Sequence, residues 1–232
     1  MYSVNQETQQ TQALLAIPRQ KRGDAWHDQF FAVVPNAGFM IDPNVMIGPD
    51  GFAYMQLFSP LPGQVFEAHS IRSLMSDFLI REGVGVVINP HNPEGPDMVF
   101  SYGDIVNLYL RDEFYSPSDM FETERRDTVI PAGTVIDTGA PSAEHILPPE
   151  TRTVLRRFMN QQGFNSPKIA LYASVQQDGR YVQELALNVS KEYDFDSDER
   201  FNQFMSTLGW FLPRHYAIAC IDAANLLKME PL

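Results

Sequence analysis

Between Ser70 and Arg81 the apolar residues Ile71, Leu74, Met75, Phe78 and Leu79 recur at i, i+3, i+4, i+7 and i+8. That spacing lays one apolar stripe along a helix. Gly83 stops the pattern, and "VGVVIN" after it reads as a buried strand. Upstream, "FFAVV" (Phe30–Val34) and "FAYMQLF" (Phe52–Phe58) are strand-like. Between them Gly48-Pro49-Asp50-Gly51 is a turn, because proline presets φ and glycine accepts a positive one. "NVMIGPDGFAYMQLF" is therefore expected to be a hairpin. "SYGDIVNLYL" opens a second helix, with Ser101 as N-cap and Asp104 three residues on to complement the N-terminal dipole.

The second half of the chain is simpler. "GTVIDTG" predicts a short strand, and "PPETRTVLRRFMNQQG" a helix with prolines at its mouth and a stop at Gly163. In "KIALYASVQQDGRYVQELALNVS" two β-rich runs flank Gln177-Asp178-Gly179-Arg180, so a hairpin turning at Asp-Gly is expected. A helix follows on Phe201, Phe204, Met205 and Leu208, then a strand over Tyr216–Ile221. The order β-α-β-β-α-β calls for helices packed on a mainly antiparallel sheet. No repeat of fixed period is visible.

The polar, proline-bearing stretch Ser116–Gly133 places a boundary near residue 127. The expected organisation is a flexible, frayed N-terminal arm (1–23) and two small domains (24–127 and 128–232). The fold class is α+β, each domain a mainly antiparallel or mixed sheet with packed helices. Charge sharpens this picture. The chain carries 17 basic and 29 acidic residues, a net charge of −12. The arm carries three basic residues and one acidic, the first domain five against 16, and the second nine against 12. An acidic first domain repels phosphate backbones and argues against nucleic acid as a partner. The first 20 residues lack the charged and apolar regions of a signal peptide, and no stretch approaches the roughly 20 apolar residues of a membrane span. A cytoplasmic protein is expected, in which the sequon Asn188-Val189-Ser190 carries little meaning.

Candidate chemistry is sparse. Gly83 and Gly85 give G-x-G, but strand follows where a phosphate-binding loop needs a helix N-terminus. His27, His69, His91, His145 and His215 stand far apart, with no paired zinc-ligand spacing. "DFDSDER" (Asp194–Arg200) opens like a calcium loop, but Glu199 and Met205 occupy the positions that need glycine and glutamate. It reads instead as an acidic helix N-terminus. The one cysteine, Cys220, sits in an apolar run and is expected to be a buried, inert thiol. No G-x-S-x-G elbow occurs. Carboxylate pairs of the glycosidase kind stay open, since a sequence does not show which acids face each other. No metal and no cofactor is expected.

Two surfaces remain. Strand exits are where sheets place sites, so the loop Asn89-Pro90-His91-Asn92 is the candidate binding loop, against the simpler reading of a strand with a stiff exit. Arg152, Arg156 and Arg157 form a basic helix face that could receive an acidic partner, against the reading of a solvated face.

"GVGVVINPHNPEGPDMVFSYGDIVNLY" (Gly83–Tyr109) resembles the end of the N-terminal domain of SseB-family bacterial proteins. There a G-V-V-[IL]-N-P strand runs through a Gly/Pro loop into a short helix. Here that motif is Gly85-Val86-Val87-Ile88-Asn89-Pro90. "IPAGTVIDTGAPSAEHILPPETRTVLRRFM" (Ile130–Met159) is similar to the start of the family's C-terminal domain, and "KIALYASVQQDGRYVQELALNV" continues it. The likeness runs from about Phe30 onward; the arm and "EFYSPSDMFETERRDT" (Glu113–Thr128) depart from it. The resemblance implies two α+β domains and a link to serine sensitivity, and it brings no catalytic residue. The expected function is thus a non-enzymatic protein-interaction or regulatory module with a protein partner. An amino-acid or metabolite binding protein or enzyme, using Asn89 and His91, is the alternative.

Overall fold

The computed structural model describes residues 5–61, 65–117, 121, 137–139, 146–175, 181–220 and 229–232. The chain divides into two units, Met1–Phe114 and Tyr115–Leu232, which part upstream of the expected boundary at 127. Residues 122–136, the hairpin turn 176–180, His145 and Ile221 lie outside the described residues.

In the first unit the expected frayed arm is structured. Helix α1 (Gln6–Leu15) is capped by Asn5, whose side chain accepts from the Thr8 amide, and it buries Thr8, Thr11 and Leu14. Its partner α2 (Asp24–Val33) replaces the strand expected over Phe30–Val34. Trp26, Phe30 and Val34 are buried at i, i+4 and i+8, a helical spacing that the β-favouring run "FFAVV" conceals when read alone. Trp26 stacks on Phe30 with centroids 4.6 Å apart and donates its indole N–H to the Leu14 carbonyl at 2.9 Å. Tertiary packing overrides local propensity here.

The hairpin of β1 (Met40–Ile47) and β2 (Ala53–Phe58) forms as expected, antiparallel, with a register shift between Asp42 and Met46 beside Pro43. Gly51 takes the positive φ of +85° that the turn needs. The next helix is continuous but not uniform. A π turn (Met75–Leu79) joins α3 (Ile71–Leu74) to α4 (Ile80–Glu82). The expected stripe is rephased by it: Ile71, Met75, Leu79 and Ile80 are buried, while Leu74 and Phe78 are only half-buried. A π turn adds one residue per turn and so shifts the inward face by one position. Gly83, at φ +76°, ends the helix in the left-handed conformation.

Strand β3 (Gly85–Ile88) is buried throughout and runs parallel to β2; β4 (Met98–Phe100) pairs antiparallel to it, giving the sheet order β1-β2-β3-β4. Helix α5 (Tyr102–Arg111) follows with the expected capping box, Ser101 and Asp104 bonding reciprocally. Gly85 is explained by closeness. A Cβ there would lie 2.6 Å from the Phe100 carbonyl oxygen and 2.9 Å from the Tyr54 ring. Gly85→Ala is therefore expected to force β3 and β4 apart and to destabilise the protein by about 1–3 kcal/mol, read as a lower urea midpoint.

The second unit has β5 (Asp137–Gly139), α6 (Pro149–Gln161), β6 (Lys168–Val175), β7 (Tyr181–Leu187), α7 (Lys191–Asp194), α8 (Asp198–Trp210), β8 (Ile218–Cys220) and β9 (Glu230–Pro231). Its sheet runs β5-β6-β7-β8, with β9 on β6; β7 and β8 are parallel and the other pairs antiparallel. Leu155, Leu185, Phe204 and Leu208 lie in its core. Both units are α+β with mixed sheets, and both share one order: a helix, an antiparallel hairpin, a helix, then a strand parallel to the hairpin's second strand. The topology recurs although no sequence period announces it.

Candidate functional site

The strand exit singled out in the sequence is a closed hydrogen-bonded knot. Asn89 stands at φ +49°, a conformation asparagine tolerates better than most residues. Its side-chain oxygen accepts from the Ser59 amide at 2.9 Å, and its NH2 donates to the Ser59 hydroxyl at 3.1 Å and to Asp97 Oδ2 at 2.9 Å. Asn92 donates to the same Oδ2 at 3.3 Å. Both amide hydrogens of Asn89 thus act within the chain.

Asp97 is the hub. Its carboxylate is 5% exposed, and Oδ1 accepts from Arg22 Nη2 at 2.9 Å; the Arg22 side chain is itself only 9% exposed. Arg22 also donates to the carbonyls of Ile17 (3.0 Å) and Leu15 (2.9 Å), and its guanidinium lies 4.9 Å from the Trp26 ring centroid. Arg19 reaches the same loop from outside. It donates to the carbonyls of Glu94 (2.6 Å), Gly95 and Pro96 (2.7 Å). The segment after α1 therefore clamps the 91–97 loop. Sequence reading missed Arg19, Arg22 and Asp97; the signal was the basic cluster "PRQKR" preceding an acidic domain.

His91 is exposed at the loop tip, its ring 5.8 Å from that of Phe58. Pro90 is half-buried. Of the four candidate loop residues, the structure brings Asn89 and Asn92 together on Asp97. His91 does not join them. Among the described residues no three His, Cys, Asp or Glu side chains are grouped to hold a metal ion, and no helix is long and apolar enough to cross a membrane.

The expected arginine face is partly committed to the chain's own last strand. Arg152 Nη2 donates to the Pro231 carbonyl at 2.5 Å and lies 3.7 Å from Glu230, and Arg156 Nη1 donates to the backbone oxygen of Leu232 at 3.2 Å. Arg157 is exposed on the same helix. Two of the three cations thus fasten residues 230–232 to α6. The acidic run behaves as a helix entrance. Ser197 caps α8, and Asp196 and Asp198 pair with Arg200 (2.8 Å) and Lys191 (3.1 Å).

Two concave surfaces were not visible in the sequence. In the first unit, Ala13, Leu14 and Ile17 of the α1 side and Ala32 and Val33 of α2 line an apolar groove of about 460 Å³, with Gln10 and Gln29 beside them. In the second, a polar cavity of about 280 Å³ lies over Phe164, Phe195 and Phe204, with Asp194, Arg200 and Gln203 on its walls. The three rings stand 5.2–6.2 Å apart.

Cys220, on β8, is half-buried, and its thiol faces Met205 Sδ at 3.3 Å. Burial, with a smaller contribution from the Asp194 charge, pushes its pKa up from 9.0 to about 12. A neutral thiol is a poor nucleophile, so native protein at pH 8 is expected to react with a disulfide reagent far more slowly than unfolded protein. The folded value lies above the unfolded one. The linked stability is therefore complete below about pH 9 and declines as pH rises toward 12, where the unfolded chain ionises first.

Comparison with models of known protein families, with curated protein sequences and with solved structures finds no match for this chain.

Proposed function

We propose that this chain is a non-enzymatic protein-interaction module. One observation carries the reading: α1 and α2 present an open apolar groove on an otherwise acidic unit, while Asn89 and Asn92 of the strand-exit loop are engaged with Asp97 within the chain. Apolar concavities rimmed by polar residues are characteristic of protein-binding surfaces. The test is a photo-crosslinking residue placed at Gln29 in cells, with Thr153 on α6 as the control position. A single protein crosslinked at Gln29 and absent at Thr153 is expected. Equal, diffuse labelling at both positions, or none, would refute the reading.

An SseB-like, bacterial and cytoplasmic identity belongs to the same proposal. Its support is the order of motifs: a G-V-V-I-N-P strand leading through a loop into a capped helix, then a second unit with its own hairpin and closing helix and strand. A link to serine sensitivity would follow from that identity.

The second-unit cavity favours the alternative of a small polar ligand. The carboxylate of Asp194, on the cavity wall, offers an acceptor for an ammonium group. Arg200 pairs with Asp196 through Nη1 and keeps its remaining N–H groups for a carboxylate. An amino acid fits that chemistry, whereas its keto acid would use only the arginine. A ligand present at 100 times its Kd stabilises by about 2.7 kcal/mol, so a thermal-shift screen is decisive. A shift lost in Arg200→Ala supports this reading, and a uniformly flat screen removes it.

A further inference from the structure

We propose that the α1/α2 groove receives an amphipathic helix of a partner protein, with an apolar stripe and a basic flank. The inference rests on the interaction-module reading and names its partner class. On α1 and the residues after it, Gln10, Ala13, Leu14 and Ile17 follow i, i+3, i+4 and i+7; on α2, Gln29, Ala32 and Val33 follow i, i+3 and i+4. Two helices thus turn matching stripes toward one trough. The exposed alanines Ala13 and Ala32 let another helix approach closely, and Leu14 forms the floor. Glutamine, not charge, stands beside the apolar floor, which suits a partner inserting apolar side chains.

The charge of that partner follows from the rim. At 100° per residue, Asp24 and Asp28 fall on the side of α2 opposite Trp26 and Phe30, next to the groove stripe. Both are exposed, and neither forms an ion pair among the described residues. Of the cations between α1 and α2, Arg19 and Arg22 are committed to the 91–97 loop, which leaves Lys21 alone against the two carboxylates and the acidic character of the unit. A second copy of this chain would bring the same carboxylates against themselves, so self-association through this face is disfavoured. A helix with lysine or arginine beside its apolar stripe satisfies both the trough and the rim.

The test is selection on the intact chain from a displayed library of helix-favouring 16-residue peptides, randomised in both apolar and charged positions. Enriched peptides are expected to carry apolar residues at i, i+3 or i+4, and i+7 beside basic ones. Their affinity should fall at least tenfold in the groove-filled variant Ala13→Gln/Ala32→Gln, which keeps good helix formers at both positions. It should fall several-fold, with a flatter salt dependence, in Asp24→Asn/Asp28→Asn. Thermal melting verifies that each variant is folded. No enrichment, enrichment of acidic or non-periodic peptides, or binding to the groove-filled variant within twofold would overturn the inference. A crosslinked partner at Gln29 alongside such a result leaves the interaction reading standing and removes only the helical, basic ligand; loss of both removes the reading itself.

Discussion

Asp97→Ala is expected to destabilise the first unit by about 3–5 kcal/mol, the usual effect of removing one member of a buried ion pair. The carboxylate and its Arg22 partner are 5% and 9% exposed, so water reaches the abandoned guanidinium poorly. The loss does not end there. Asn89 and Asn92 both donate to the same carboxylate, and without it their amides need new acceptors in a crowded site. Arg19 would keep its carbonyl bonds to the loop, and the fold should loosen at this corner before it fails elsewhere. Trp26 lies directly under Arg22, so its fluorescence in a Trp210→Phe background follows this unit through a urea titration. A midpoint unchanged from the parent would show that the knot contributes nothing to stability. Asp97→Asn is the informative companion: it keeps an acceptor oxygen but loses the charge, and should lie between alanine and wild type.

In the second unit the largest effect is expected from Phe204→Ala, again about 3–5 kcal/mol, the range for a large aromatic removed from a core. Phe204 is 5% exposed. It meets Phe158 at 6.0 Å, Phe164 at 5.5 Å and Phe195 at 5.2 Å. One substitution thus opens a void among three rings and lowers the floor of the polar cavity. Trp210 terminates the same helix and reports the transition in a Trp26→Phe background. If Phe204→Ala lowers stability but leaves an amino-acid thermal shift intact, the ligand does not bind over these rings.

What could be read in advance followed from how local each signal was. The helix over residues 71–82, the cap at Ser101, the turn at Gly48–Gly51 and the stop at Gly163 each depend on a few adjacent residues, and each is present. Phe30–Val34 misled because aromatic and β-branched residues favour strands unless packing dictates otherwise. The deciding contacts were Trp26 on Phe30 and the pairing with α1. The π turn at Met75–Leu79 leaves the apolar spacing intact and changes only its phase, which no periodicity count detects. The candidate site was harder still. Asn89 and Asn92 belong to the candidate binding loop, but the partner they share, Asp97, and its clamp Arg22 lie 75 residues apart, and no local pattern joins them. The α1/α2 groove was hidden for a related reason: "ALLAI" reads as a weak apolar patch until a second helix is set beside it.

The register shift in β1 bears on how the protein behaves at high concentration. This strand is the outer edge of its sheet, with Val45 36% and Ile47 67% exposed, a position that in a flat, regular strand would template the addition of another chain. Pro43 withholds a backbone donor, and the register shift between Asp42 and Met46 breaks the even row of bonding groups that an incoming strand needs. On the far edge β4 is only three residues long. Neither margin of the first sheet invites fibrillar growth, so concentrated solutions should resist aggregation through it, and straightening β1 with Pro43→Val is the change that would remove the protection.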